Sequence, residues 1–470
     1  MSEPLAEYLT TAQAGPLLQR MQADLAAGPI ARVRNLEYVY APCALYPLAP
    51  VPPLPLPRVR AFTVDMDGTS TTTEPLALHA LEYMVRCATG RLTRDQWPGL
   101  DPQHDYPHVI GNSNYRHTEF LLTRYRALLD PAALAAAFLE ALVWTLTNVP
   151  DPQRRREITR NARQCGFAAL LADTQFQRLT ADAPLDWDGA AAATAFWRDR
   201  YAPALRAASF SQLVSVALDV YYYRYHGLLA LSARHDREGL QRALPDVLPD
   251  GLVAPMPGYD VFLPLVKGWL GADARALFEP LRAGLLASGC GPGDLRQLDA
   301  GEQSLVRLAQ YFEQHPARVA LVTASIGYEM HAVIKELLAV LVRRVAAWPV
   351  PPACRERVAA SLADERLVYD ALICASDACE PRLKPHPDLY SLALYELGVP
   401  RAAYTECIGL EDTEPGIIAL RAAGIGCAVA LPNRDTTGQN YTAAARVVRG
   451  GLPELMLIHN LLVAEHGVSP

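Results

Sequence analysis

An apolar run followed by two closely spaced aspartates and a glycine occupies residues 61–69, which read Ala61-Phe62-Thr63-Val64-Asp65-Met66-Asp67-Gly68-Thr69. Residues two positions apart in an extended segment point to the same side. Asp65 and Asp67 therefore leave the predicted strand side by side, where one carboxylate can attack while the other moves a proton. The alternative is an acidic strand-to-turn junction without chemistry, since Asp and Gly are common turn residues.

Three later segments repeat this arrangement of polar residues at the end of an apolar run: Thr323-Ala324-Ser325, Lys384-Pro385-His386-Pro387-Asp388 and Glu411-Asp412-Thr413. Predicted strands alternate with helical stretches, the strands lying near residues 61–64, 319–323, 369–374, 406–410 and 427–431. This alternation indicates an α/β fold with a doubly wound parallel sheet. Because such sheets bind ligands at the carboxyl ends of their strands, the four segments should converge in one crevice.

Together the four segments resemble the motifs of the haloacid dehalogenase-like superfamily, in its phosphatase and phosphomutase branch, whose core is Rossmann-like. The resemblance implies that Asp65 becomes transiently phosphorylated and that Asp67 is the general acid/base. Thr323 corresponds to the second motif and Lys384 to the third, and both are expected to complete the catalytic set. Leu383 stands where many relatives have glycine, a mild departure.

The same resemblance implies a magnesium site and a phosphate-binding loop. The expected ligands of Mg²⁺ come from the first and fourth motifs: Asp65, Asp67 through its carbonyl, Glu411 and Asp412. The expected contacts to the phosphoryl group in the core are Gly68, Thr69 and Ser325.

The composition singles out Lys384, because only three of the 43 basic residues are lysines. An ammonium is a compact point charge, whereas a guanidinium is a planar fork. A site crowded by a metal, a carboxylate and a phosphate therefore favours lysine. The other two lysines, Lys267 and Lys335, are predicted to be solvated surface residues, since lysine is mostly exposed.

Length, charge and cysteine content bound the class of protein. A chain of 470 residues is expected to form two domains or more. Its nine scattered cysteines suit free thiols in a reducing compartment, and the net charge of -7 argues against general nucleic-acid binding. With no long uninterrupted apolar run, the sequence predicts a soluble cytoplasmic protein. The resemblance implies that it acts on a small phosphorylated metabolite.

The predicted domain organisation has three parts. Residues 1–58 are expected to form an N-terminal helical extension, with one or two helices over 1–40, followed by an extended proline-rich strap. Residues 59–78 and 312–470 are expected to form the catalytic core. Residues 79–311, rich in Ala, Leu and Arg, read as an inserted helical cap, with helical stretches such as 132–146 and 190–213.

Three segments of the predicted cap carry polar or aromatic clusters. Arg116 and His117 are expected in a polar loop before a helix and are candidates for substrate binding, with a purely structural role as the alternative. The aromatic stretch 219–226 is expected to pack as a helix with its tyrosine hydroxyls reaching the surface. The basic run 154–156 is expected to be a solvated helix start.

These observations predict a Mg²⁺-dependent phosphatase that works through an aspartyl phosphate. Dehalogenation is disfavoured, because Asp67 and the acidic pair would have no role in displacing halide from carbon. Phosphonate cleavage would need a cap lysine to form an imine, and residues 79–311 offer only Lys267. Two alternatives stay open: a sugar phosphomutase with the same core chemistry, and a catalytically silent scaffold protein.

Overall fold

The central element of the computed structural model is a six-stranded parallel sheet with the strand order β5-β4-β3-β6-β7-β8. The structure describes residues 10–35, 40–110, 113–181, 183–244, 252–287, 298, 300–377 and 382–464. The strands of this sheet are β3 Ala61–Asp65, β4 Arg318–Val322, β5 Ala371–Ile373, β6 Cys407–Glu411, β7 Cys427–Ala430 and β8 Arg446–Val447. The predicted fold class is confirmed.

The position of β3 in the sheet creates the crevice at which a site is expected. All five residues of β3 and of β6 are buried, as is usual for parallel strands covered on both faces. β3 pairs with β4 on one side and with β6 on the other, and Asp65 lies opposite Val322. The chain order reverses at β3, so the carboxyl ends of β3, β4 and β6 meet at a topological switch point.

The chain divides into two compact units, residues 1–69, 257–323 and 344–470 in the first and residues 70–256 and 324–343 in the second. The first contains the sheet and, in its described part, the helices Thr11–Asp24, Tyr259–Val266, Phe278–Ala287, Gly301–Gln314, Pro352–Leu362, Glu365–Val368, Asp388–Glu396, Glu414–Ala422 and Gly451–Leu457. Short 3-10 helices are found at Gly271–Leu277, Arg401–Glu406 and Asn460–Leu462.

Every element that the structure describes in the second unit is helical, as the sequence predicts for the insertion. The helices are Glu74–Thr89, Tyr106–Val109, Asn114–Arg124, Pro131–Asn148, Pro152–Gln164, Ala168–Leu171, Thr174–Ala181, Trp187–Tyr201, Phe210–Ala233 and Arg237–Ala243, with a 3-10 turn at Arg126–Leu128. The helix Gly327–Ala346 also falls largely in this unit. Residues 257–311, which the sequence analysis placed in the cap, group with the sheet by contacts, and the boundaries 79–311 stay a prediction.

One helix of the second unit, Pro131–Asn148, is long and apolar enough to cross a membrane by length and composition, and 56% of its apolar window is buried inside the protein. It packs against the helices Trp187–Tyr201 and Phe210–Ala233. A core helix of a soluble protein has the same length and composition, so these properties alone do not assign it to a membrane.

Two predictions about secondary structure are wrong in part. Residues 1–40 were expected to be helical, but after the helix Thr11–Asp24 the chain forms β1 Ile30–Arg34, which pairs antiparallel with β2 Cys43–Pro47. The predicted helical stretch 190–213 is two helices, because the first ends at Tyr201 and Ser209 caps the second by accepting a hydrogen bond from the Gln212 amide. Prolines 42 and 47 therefore lie at or within a strand pairing rather than in a free strap.

Three predictions about exposure also need correction. Lys267 pairs with Asp370 at 2.9 Å and its side chain is only 12% exposed, whereas Lys335 is exposed as expected. Arg154 is buried and pairs with Asp219, so the run 154–156 is not simply a solvated helix start. The four tyrosines of the stretch 219–226 are buried, and the hydroxyl of Tyr222 accepts from Asn114 at 3.3 Å.

Candidate active site

Asp65 is the last residue of β3, and the turn that follows it is shaped by a glycine. The Met66 amide donates to the Val322 carbonyl at 3.0 Å, which extends the pairing of β3 with β4 by one step. Gly68 has a φ of +85°, a conformation that residues with a Cβ rarely adopt. A Cβ at Gly68 would also overlap the carboxylate of Asp412. The turn can therefore approach the fourth motif closely only because residue 68 is glycine.

Lys384 joins the first motif to the fourth. Its ammonium donates to Asp65 Oδ1 and, at 2.6 Å, to Glu411 Oε1, and all three side chains are buried. Burial alone would lower the pKa of Lys384, but the carboxylates of Asp65 and Glu411 outweigh it and hold the pKa well above its usual range. Lys384 is therefore a permanent positive charge between two carboxylates.

Glu411 is held by hydrogen bonds on both of its carboxylate oxygens. Oε1 accepts from Tyr390 at 2.9 Å as well as from Lys384. Oε2 accepts from the amides of Asp412 and Thr413, both at 3.0 Å, and from the Thr413 hydroxyl at 2.9 Å. Both oxygens of this buried carboxyl group therefore have hydrogen-bond donors. Burial and then Glu411 raise the pKa of the Tyr390 hydroxyl well above its usual range, so Tyr390 remains a donor.

Asp412 is tied to the first motif and to the loop after β7. The Thr69 hydroxyl donates to Asp412 Oδ1 at 3.2 Å, and the Asn433 amide donates to Asp412 Oδ2 at 2.8 Å. Asn433 also donates to the carbonyl of Gly68 at 3.1 Å. These contacts fix the carboxylate of Asp412 beside the turn that carries Asp67.

Thr323 lies directly after β4 and is fully buried. Its hydroxyl donates to Asp67 Oδ2 at 2.8 Å. The resemblance implied that Thr323 completes the catalytic set. The structure gives it a contact with the second aspartate of the first motif, which orients the carboxylate of Asp67.

The carboxylates of Asp65, Glu411 and Asp412 form a buried cluster whose oxygens lie within 4.8 Å of one another. Burial and then the neighbouring carboxylate of Glu411 raise the pKa of Asp65 well above its usual range, against the opposing effect of Lys384. Three carboxylates thus face one ammonium. A hard divalent cation such as Mg²⁺, which prefers oxygen ligands, would offset this excess of negative charge.

The structure thus brings together most of the predicted core residues. Asp65, Asp67, Gly68, Thr69, Thr323, Lys384, Glu411 and Asp412 are linked by the contacts above. Ser325, Arg116 and His117 belong to the second unit. Arg116 and His117 lie in the first turn of the helix Asn114–Arg124 and not in the loop predicted before it. Their predicted role in substrate binding stays a prediction.

Two side chains of the site were not predicted. Asn433 follows the apolar strand β7 as the other site residues follow their strands, and this position is a signal that could have found it. Tyr390 lies inside the helix Asp388–Glu396 and has no such signal, because its contact with Glu411 depends on how that helix packs.

The strand order and the four motifs at the strand ends agree with the resemblance stated from the sequence, and known proteins of that kind are similar to parts of this chain. No family model matches the chain. It is 40% identical over 73 residues to the protein CbbY of Rhodobacter capsulatus, and 40% identical over 68 residues to the putative phosphatase YhcW of Bacillus subtilis (strain 168). These segments are 16% and 14% of this chain and 30% and 28% of the two relatives, so the chain spans less than a third of their length.

Similar solved structures include CbbY from Rhodobacter sphaeroides in complex with phosphate, at 14% identity with a TM-score of 0.38, covering 86% of this chain and 99% of that chain. A HAD family hydrolase from Deinococcus radiodurans R1 with bound phosphate and sodium matches at 14% identity with a TM-score of 0.34, covering 87% and 99%.

Proposed function

We propose that this protein is a Mg²⁺-dependent phosphatase that hydrolyses the monoester of a small phosphorylated metabolite through an aspartyl phosphate on Asp65. The observation that carries the proposal is the buried contact of Lys384 with Asp65 and Glu411 beside Asp412, at the carboxyl edge of the sheet. A nucleophilic carboxylate, a fixed ammonium and an acidic cluster in one place are the parts that phosphoryl transfer requires.

In the first step, a carboxylate oxygen of Asp65 forms a bond to phosphorus while the ester P–O bond breaks. Asp67, in its acid form, donates a proton to the leaving oxygen, which departs as an alcohol. Thr323 orients Asp67 for this transfer through the 2.8 Å hydrogen bond to Oδ2. Proton transfer of this kind contributes about 10²–10⁴-fold to the rate.

In the second step, water attacks the phosphorus of the aspartyl phosphate, and the carboxylate of Asp67 takes its proton. The bond between phosphorus and Asp65 breaks, inorganic phosphate leaves and the carboxylate is restored. Because Lys384 contacts Asp65 directly, its ammonium offsets negative charge on the nucleophile and on the phosphoryl group in both steps.

The acidic cluster fits a bound magnesium ion. Its candidate ligand atoms are carboxylate oxygens, and its three carboxylates outnumber the one ammonium, that of Lys384. Asp65 and Asp412 would hold the ion, with Glu411 as a third ligand and the carbonyl of Asp67 as a fourth. When bound, the ion supplies charge neutralisation that lets a phosphate dianion approach a carboxylate.

Hydrolysis of an aryl phosphate by the purified protein, with Mg²⁺ and with EDTA, tests the proposal. We expect release of the phenol with Mg²⁺ and none with EDTA or in Asp65→Asn. A protein that is silent with a broad panel of phosphorylated metabolites as well as with the aryl phosphate would be a scaffold rather than an enzyme. The same panel identifies the substrate. We also propose that the protein is cytoplasmic.

A phosphatase transfers the phosphoryl group from Asp65 to water, whereas a phosphomutase transfers it to a sugar hydroxyl. The first step is the same in both. Incubation with a sugar phosphate in ¹⁸O-labelled water distinguishes them. Labelled inorganic phosphate is expected, and an isomerised sugar phosphate without label would make the enzyme a mutase.

A further inference from the structure

The second unit contains a cavity of its own, with a volume of about 360 Å³. Ligand pockets in proteins start at about 300 Å³. None of the core motif residues lines it. Its walls combine two tryptophans, Trp144 and Trp187, with three arginines, Arg224, Arg234 and Arg242.

Arg224 is held in one orientation by its neighbours. Its guanidinium lies over the rings of Trp187 and Tyr83, with its Cζ 4.3 Å and 5.0 Å from their centroids. Nε and Nη2 donate to His79 Nε2 at 3.3 Å and 3.2 Å, and Nη2 also donates to the Ala243 carbonyl at 3.0 Å. A guanidinium held by two rings and by hydrogen bonds from Nε and Nη2 is pre-organised to bind through Nη1.

The charge of Arg224 is not offset by any carboxylate in the part of the chain that the structure describes. No Asp or Glu oxygen there lies within 4.0 Å of it, and its Nη1 has no hydrogen-bond acceptor among those residues. Burial and then Arg224 lower the pKa of His79 to about 3, so His79 is neutral and gives no countercharge. Arg224 is half-buried, and a partly desolvated cation with no carboxylate beside it among the described residues favours an external anion.

Arg234 and Arg242 add positive charge to the same cavity, and neither pairs with a carboxylate within the described ranges. The lining also contains three aspartates at helix starts, Asp186, Asp188 and Asp236. Asp186 accepts from the Gly189 amide at 2.7 Å, and Asp236 accepts from the Gly239 amide at 2.8 Å. Those carboxylates are stabilised by backbone donors.

We propose that this cavity is a second anion-binding site, which takes a small oxyanion, a phosphate or a carboxylate, on the Nη1 edge of Arg224 with Arg234 and Arg242 at its rim. Trp144 and Trp187 offer apolar surface to the organic part of such a ligand. The site is independent of the phosphatase proposal, because its residues take no part in the core chemistry.

The test uses 5-fluorotryptophan-labelled protein and ¹⁹F NMR in EDTA, with the Trp187 signal assigned by Trp187→Phe. Inorganic phosphate and citrate are titrated separately, so that the two arms distinguish a phosphate from a carboxylate ligand. We expect a saturable shift of the Trp187 signal with at least one of them. In Arg224→Gln the affinity should fall at least about tenfold, since a charge-assisted contact is lost.

Arg156→Gln is the matched control, because Arg156 is an exposed arginine of the same unit, and it should leave the titration unchanged. Should Arg224→Gln not fold, the double variant Arg234→Gln/Arg242→Gln carries the test, with weaker binding as the expected result. A Trp187 signal that responds to neither anion overturns the proposal, as does an affinity that these substitutions leave unchanged.

Discussion

At Asp65, the chemistry and the surroundings of one carboxylate oppose each other. A nucleophile must be ionised, yet burial and Glu411 raise the pKa of Asp65. Lys384 favours the ionised form from 319 positions away in the chain. A divalent cation would act in the same direction, because it adds positive charge beside the same oxygens. The negative charge of Asp65 is therefore stabilised by Lys384 and would be stabilised further by a bound divalent cation.

The substitution Asp65→Asn tests the nucleophile. An amide cannot attack phosphorus, so turnover should vanish, while removing one of three clustered carboxylates should leave the metal-free thermal midpoint unchanged or higher. Asp67→Asn is the comparison, because it should leave slow but detectable phosphorylation of Asp65. Initial rates with an aryl phosphate give the answer, and a residual rate in Asp65→Asn above about a hundredth of wild type would contradict the assignment.

A second prediction concerns His79 and the dependence of folding stability on pH. Its pKa is about 3 in the folded protein, mainly through burial, against 6.5 for an ordinary histidine. The folded state therefore binds fewer protons than the unfolded state between these values, and stability falls as the pH drops below 6.5. Each pH unit costs about 1.4 kcal/mol at most.

Urea unfolding of wild type and His79→Gln at pH 7.5 and pH 5 measures this effect. Glutamine keeps an acceptor for Arg224 but does not titrate. The variant should lose about 2 kcal/mol less than wild type between the two pH values. Equal losses would show that His79 does not contribute.

At the scale of single elements, the residue before the helix Glu414–Ala422 contributes both to the stability of that helix and to the position of a site residue. Thr413 caps this helix by accepting from the Gly416 amide at 3.2 Å, and its hydroxyl donates to Glu411 at 2.9 Å. Thr413→Val removes both bonds. We expect a loss of about 0.5–2 kcal/mol in unfolding free energy, the usual range for a cap, and lower activity because Glu411 is less well held.

Thr413→Ser is the control, since its hydroxyl can make both bonds and should restore stability and activity together. Chemical unfolding and aryl phosphate hydrolysis follow the two properties. If Thr413→Val loses stability without any change in rate, the hydroxyl acts on the helix alone.

The same scale shows which elements can be predicted from sequence. β3, β6 and β7 are buried throughout and are therefore mostly apolar, which is why they were found. β1 alternates exposed and partly buried residues and carries two arginines, so nothing in its composition distinguishes it from the helix expected there. Its pairing with β2 forms across a loop and is visible only in three dimensions.

Over the whole molecule, the core site could be predicted because topology brings strand ends together. Asp65 and Asp412 come from neighbouring parallel strands, so their convergence follows from the sheet. Tyr390 could not be predicted, since its position depends on how a helix packs on that sheet. The cavity around Arg224 could not be predicted for the same reason. His79 contacts Arg224 from 145 positions away in the chain and belongs to no motif.

Magnesium should stabilise the whole protein, since binding to the folded state alone shifts the folding equilibrium by mass action. At a free Mg²⁺ concentration 100 times the dissociation constant, the gain is about 2.7 kcal/mol. The ion would relieve the repulsion among Asp65, Glu411 and Asp412, whose oxygens lie within 4.8 Å of one another. Thermal unfolding across a Mg²⁺ titration should therefore show a rising midpoint.

Asp412→Ala should abolish both this rise and the activity, because it removes a ligand while leaving the nucleophile in place. Glu406→Ala is the matched control: Glu406 is an acidic residue of the same unit that pairs with Arg60 at 3.0 Å at the surface, and its loss should leave the Mg²⁺ response intact. An Asp412→Ala protein that responds to Mg²⁺ as wild type does would place the metal elsewhere. Since Asn433 and Thr69 both donate to Asp412, Asp412→Asn separates the loss of charge from the loss of these contacts, and it should fail to respond to Mg²⁺ as Asp412→Ala does.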